Sequence, residues 1–244
     1  MRKTLIIVTA GATIASAQLA LADMQYSGSL AGMFESATSA GATVHSYGGG
    51  GQFLVSFDQP GFNVQVSGAG ATADTGTSTT MWFGDGDVFW RDPKGTFGAS
   101  VSHASLSAGY LNAKVTSYGA FGEWYLLHDL TLRIKGGAFS GDASGEYGGA
   151  GAEYFPLRDF GLSADYTYVN TTGHSASVIG AGAEYLVSED LPLSVRIGYD
   201  RASGYGATAE TFSLQVKYSF GLSGSLIDWS HRGPISWNGA LSGL

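Results

Sequence analysis

The residues that could carry covalent or metal chemistry are few, and their spacing argues against most of it. The 244-residue chain has no cysteine, which removes thiol nucleophiles, disulfide frameworks and cysteine-based zinc clusters. Five histidines remain: His45, His103, His128, His174 and His231. His103 has Ser102 and Ser105 close by, but adjacent residues on a strand face opposite ways and cannot form a relay. His45 and His174 fall in segments that read as loops, His128 in a turn, and His231 in a tail. No metal-binding spacing, G-x-S-x-G elbow or phosphate-binding loop occurs. The expectation is therefore no catalytic, cofactor or metal site, and no enzyme.

The charged residues say more, because they recur on one face of alternating segments. In Leu130 to Lys135, the apolar Leu130, Leu132 and Ile134 alternate with Thr131, Arg133 and Lys135. The same period of two runs from Phe160 to Tyr168, from Leu191 to Asp200 and from Phe212 to Phe220. Successive side chains of a strand point to opposite faces, so each segment has one apolar and one polar face. If the apolar faces meet lipid, the polar faces line a lumen. The inward acids are then Glu35, Asp85, Asp87, Glu123, Glu153, Asp165, Glu184 and Asp200, and the inward bases Arg133, Lys135, Arg196 and Lys217. Glu123 lies near Arg133 across a hairpin and Glu184 lies diagonally near Arg196. Such pairs satisfy buried charge and can also line a hydrated path for small solutes.

Those positions need elements to hold them. The alternating segments run about 9–11 residues, the span a tilted strand needs to cross a bilayer, whereas strands of soluble domains are nearer 5–6. Asp58-Gln59-Pro60-Gly61 and Asp92-Pro93-Lys94-Gly95 are tight-turn sequences. Shorter turns of another kind stand at 127–129, 157–159 and 188–190. Longer Gly/Ser/Thr/Ala stretches near 70–80, 104–114, 140–146, 170–176 and 201–209 read as loops at the opposite end, the transmembrane-barrel arrangement. The predicted strands are 25–35, 50–57, 62–70, 80–91, 96–104, 115–126, 130–140, 145–155, 160–169, 176–187, 191–201 and 210–220. That makes an all-β, antiparallel up-and-down barrel of twelve strands, with ten the next best count.

An internal repeat supports the hairpin reading. Gly119-Ala120-Phe121-Gly122-Glu123-Trp124 returns as Gly149-Ala150-Gly151-Ala152-Glu153-Tyr154 and as Gly180-Ala181-Gly182-Ala183-Glu184-Tyr185, each followed by a turn and a strand. Aromatics also recur. Phe57, Phe62, Trp90, Phe97, Trp124, Tyr154, Phe160, Tyr185 and Phe220 fall beside the short turns, and Tyr118, Tyr166, Tyr168, Tyr199 and Phe212 toward the other end. Amphipathic rings favour the headgroup level, so two girdles are expected. Many inward positions are Gly, Ser or Thr, leaving room for water, while Phe83, Phe89, Phe121 and Phe139 point inward as a partial constriction.

Arg2 and Lys3, an apolar stretch to about Leu19 and Ala20-Leu21-Ala22 before Asp23 form a secretory signal with a cleavage site. The expected organisation is a signal peptide over 1–22, the barrel over 23–220 and a tail over 221–244. The formal net charge of −8 argues against a nucleic-acid partner, which needs a basic surface.

These features resemble the outer-membrane β-barrel proteins of diderm bacteria, in particular small porin-like ones. The segment Ser213-Leu214-Gln215-Val216-Lys217-Tyr218-Ser219-Phe220 looks like the aromatic-ended last strand that the family's assembly machinery recognises, with Phe220 as the signal. Family members commonly end there, whereas this chain continues to Leu244, as a periplasmic extension, a plug, a different closing strand or simply a poorly ordered tail. The resemblance implies an outer-membrane location, lipid and the barrel-assembly machinery as partners, and passive diffusion of small hydrophilic solutes with a mild preference for cations. The alternatives are a non-conducting structural or adhesion barrel and, behind it, a lipid-modifying enzyme.

Overall fold

The computed structural model describes residues 24–235 except 58, 59, 75–77, 189, 205 and 222. The signal segment 1–22 and its cleavage site lie outside the described residues. Twelve strands run in chain order: β1 (Met24–Ser39), β2 (Ala42–Phe57), β3 (Gly61–Asp74), β4 (Ser78–Asp92), β5 (Gly95–Ala108), β6 (Leu111–Leu127), β7 (Leu130–Gly141), β8 (Gly145–Leu157), β9 (Phe160–Thr171), β10 (His174–Ser188), β11 (Leu193–Gly204) and β12 (Ala207–Phe220). Every strand pairs antiparallel with its sequence neighbour, and β12 returns to β1, Phe220 opposite Gly28, closing the ring. A closed ring leaves no edge whose N–H and C=O groups would be stranded in lipid. With an even strand number, β1 starts and β12 ends at one rim, here called the terminal rim; the other is the far rim.

The alternation expected from sequence holds through the middle of the wall. Leu30, Val66, Ile134 and Val216 are exposed on the outside, while Ser29, Gln65, Glu123 and Ser219 are buried within. The register also lines up the aromatics. Phe57, Phe62, Trp90 and Phe97 stand opposite one another across four strands near the terminal rim, and Tyr199 and Phe212 pair toward the far rim with ring centroids 5.0 Å apart.

Strand length departs from expectation. The strands are 12 to 17 residues long, and the stretches read as long loops are mostly strand. β3 continues to Asp74 and β4 begins at Ser78; β5 and β6 are separated only by 109–110, β9 and β10 only by 172–173. The physical reason is that these hairpins extend past the apolar band, where both faces can be polar and period two vanishes. Polar cross-strand contacts take over: Ser107 donates to Asn112 at 2.8 Å, Asn170 to Glu146 at 3.3 Å, and the Thr38 and Thr43 hydroxyls meet at 3.0 Å. The β1–β2 turn is closed by Ala40 (φ 48°) and Gly41 (φ 81°), two left-handed residues as a tight hairpin turn requires. His45, expected in a loop, is therefore a residue of β2, stacked on Phe34.

Of the readings left open for the tail after β12, two fall away: over its described part it is neither a closing strand nor unordered. It carries α1 (Leu226–Arg232), with Ser225 and Asp228 forming a capping box, and it lies against inward-facing residues of the wall.

Candidate functional site

All twelve charged residues singled out from sequence stand on the inner face of the wall, and the structure sorts them into three groups. Glu35, Arg133, Lys135, Asp165, Glu184, Arg196, Asp200 and Lys217 line a cavity of about 390 Å³. Glu123 and Glu153 face a smaller cavity of about 60 Å³ nearer the terminal rim. Asp85 and Asp87 sit at successive inner positions of β4, in register with Ser102 and Ser100, within the wall rather than on the cavity. Phe220 faces outward at the end of β12, its ring over Gly28: a Cβ there would lie 2.9 Å from the Phe220 Cε2.

Two ion-pair clusters line the smaller cavity beside the tail. Arg133 binds Glu123 directly across the β6–β7 hairpin at 3.4 Å and also binds Glu153 on β8. Glu184 stands directly opposite Arg196, not diagonally, with nitrogen and oxygen 3.8 Å apart, and takes a closer partner in Lys217 of β12 at 2.7 Å. The oxygen that meets Lys217 also accepts from the Ser194 hydroxyl at 2.6 Å. Above this level the charges are more open. Asp165 and Asp200 flank Gly180 across three strands, and Glu35 accepts from the Ser46 hydroxyl at 3.0 Å. The cavity has a second, uncharged wall of Ala31, Met33, Gly50, Ala69, Ala71, Met81 and Phe83.

The internal repeat has a structural consequence that the sequence reading missed. Its three glutamates, Glu123, Glu153 and Glu184, occupy equivalent inner positions, and two residues on come Tyr125, Phe155 and Leu186. At each of them the register shifts by a bulge, directly after Tyr125 and Leu186 and across Phe155 itself. Their N–H groups donate to the preceding turns, Tyr125 to Lys94 at 2.9 Å, Phe155 to Asp129 and Leu186 to Asp159 at 2.8 Å. The result is an apolar ledge just below the ring of glutamates. The signal was available, since all three apolar residues fall on the face that otherwise carries polar side chains.

The tail rests on that ledge. Leu226, Ile227 and Trp229 pack with Phe155 and Leu186, and Ile235 packs with Leu54, Phe89 and Phe121. The His231 ring stacks on Tyr125 with centroids 4.1 Å apart, and its Nε2 meets the Thr131 hydroxyl at 3.1 Å. Ser230 donates to Glu153 at 2.7 Å, tying the tail to the charged level. Further on, Arg91 donates to the Gly233 carbonyl at 2.9 Å, and Gln65 holds both the N–H and the carbonyl of Ile235 at 2.7 Å. Arg91 was a fifth inward base, readable from its parity with Asp85, Asp87 and Phe89. Burial pushes the His231 imidazole down to about 4; Arg91 and His128 push the same way against Glu153 and Asp228. Burial pushes the Asp228 carboxyl up, but bonds from the Ser225 N–H and hydroxyl and from Arg232 outweigh it and hold the group below its usual value.

The other histidines form no centre. His103 faces outward, bonded to the Thr116 hydroxyl at 2.9 Å and 5.1 Å from the Trp82 ring, and so lies on the opposite face from Ser102. Among the described residues no group of three or more acidic or histidine side chains is placed to hold a metal.

A closed antiparallel ring of twelve strands with an apolar, aromatic-banded outside and a charged inside is the fold of a porin-like outer-membrane β-barrel. Solved structures agree at the level of fold. The chain is similar to the KdgM porin, free and in complex with disordered oligogalacturonate, with a TM-score of 0.55 and 12% identity over 78% of this chain and 99% of that one. It is similar to the translocator domain of the autotransporter NalP from Neisseria meningitidis, with a TM-score of 0.52 and 13% identity over 80% of this chain and 88% of that one. No protein-family profile matches the chain, and no curated protein matches it in sequence.

Proposed function

We propose that this protein is an outer-membrane channel for passive diffusion of small hydrophilic solutes, with a mild preference for cations. The observation that carries the reading is the charged cavity of about 390 Å³ inside a closed twelve-stranded wall. An eight-stranded barrel fills its interior with side chains, whereas twelve strands widen it, and here Gly151, Ser163, Gly198 and Ser213 leave the added width unfilled. The bases on the cavity wall are matched by acids, so an anionic oligosaccharide such as the oligogalacturonate of the KdgM complex is not the expected solute. The outer aromatic rows support a location in lipid, with the terminal rim on the periplasmic side.

The test is reconstitution of the full chain into liposomes and planar bilayers. Folded protein should produce discrete conductance steps and admit small neutral sugars faster than larger ones. The tail seated in the terminal mouth favours a second reading, a structural barrel that does not conduct. Folded protein that gives neither conductance nor sugar uptake, with or without the tail, would establish that second reading instead.

A further inference from the structure

The chain leaves the wall at Gly221, where φ is +77° and a Cβ would lie 2.8 Å from the Ser27 Cα. Gly224 follows at φ +114°. Both conformations suit glycine alone among common residues, so the tail hangs from the wall by a two-glycine joint.

We propose that residues 223–235 form a tethered gate, which closes the terminal mouth of the lumen and swings out about Gly221 and Gly224 to open it. The inference rests on the channel reading above. Three features separate a gate from a permanent part of the core. The wall is complete without the segment, because β12 already closes onto β1 through Phe220. The wall groups that grip the backbone of the tail, the side chains of Arg91, Gln65, Gln52 and Tyr125 and the carbonyl of Arg158, are polar groups that water can satisfy once the tail has left. The seat is also imperfect: the Trp229 Nε1–H is buried with no acceptor among the described residues, and leaving would hydrate it. Among the described residues Glu153 loses the Ser230 hydroxyl alone when the tail departs and keeps Arg133, so opening strands no charge at the ion-pair level. The apolar contacts on the ledge, Leu226 and Trp229 against Phe155 and Leu186, set the closed position as the resting one.

The test uses the full chain. It has no cysteine of its own, so Gln65→Cys with Ile235→Cys can be joined by a short bis-methanethiosulfonate linker. In planar bilayers the linked protein should stay at its low-conductance level, and reductant should restore brief openings. A second variant ending at Phe220 should conduct steadily, at about two-fold or more the mean conductance of the full chain. Equal, non-zero conductance before and after reductant overturns the gate and leaves the channel standing. Absence of conductance from every preparation that is folded in detergent defeats the channel reading, and the gate with it. If the truncated chain does not fold, the response to linker and reductant decides alone.

Discussion

His231 is the residue at which the state of the tail couples to pH. Its ring is neutral in the seated tail, held down to about 4 chiefly by burial against the wall. Freed into water it would return to the ordinary histidine value near 6.5. Between those two values the freed tail binds more protons than the seated one, so stability of the seated state rises with pH across that window and falls as acid is added. Because the ring is partly accessible, the full shift is not realised, and the open fraction should grow about ten-fold from pH 7 to pH 4. His231→Phe keeps a ring on Tyr125 and removes the titration. Conductance recorded across that range should respond to acid in the parent chain and stay nearly flat in the variant; parallel responses in both would mean that another group senses the acid. At this scale the sequence was informative where partners are neighbours in the hairpin, as Glu123 and Arg133 are. It was silent where they are not. Glu184 and Lys217 come from strands two apart, and no spacing rule predicts that Ser230 reaches Glu153.

Among the elements, the alternating part of each strand was readable because an apolar outer face and a polar inner face impose opposite demands on successive residues. The strand ends were not, because beyond the apolar band neither face has to be apolar. The short helix α1 was equally hidden: its seven residues are held by β6, β7, β8, β9 and β10 together, not by a long amphipathic pattern of their own. β12 carries a prediction at this level. Phe220 covers Gly28 at the closing seam, and its aromatic ring is the proposed assembly signal at the headgroup level. Phe220→Ala should therefore lower the fraction of protein that migrates as folded barrel in unboiled gels by about three-fold or more. Deletion of 221–244 should lower it less, because the seam is complete without the tail. The reverse ranking would place the assembly element in the tail.

For the whole molecule the deciding quantity is the sign of the field along the lumen. Eight inward acids face five inward bases once Arg91 is included, but they are not spread evenly. The cavity wall itself is balanced, with Glu35, Asp165, Glu184 and Asp200 against Arg133, Lys135, Arg196 and Lys217. The excess comes from Asp85 and Asp87 in the wall of β4 and from Glu123 and Glu153, which share Arg133 nearer the terminal rim. A low-dielectric wall focuses the field of such an excess into the water it encloses, so cations should be modestly enriched along the whole path rather than bound at one point. Salt screens the effect over about 8–10 Å near physiological strength, and the reversal potential under a salt gradient should therefore favour cations most strongly at low salt. Asp165→Asn removes an acid from the balanced wall and should reduce the preference. Val216→Ile, on the outer face, should leave it unchanged. A reversal potential of the opposite sign would show that the bases of the cavity wall, Arg196 and Lys217 foremost, govern passage over the more deeply set acids.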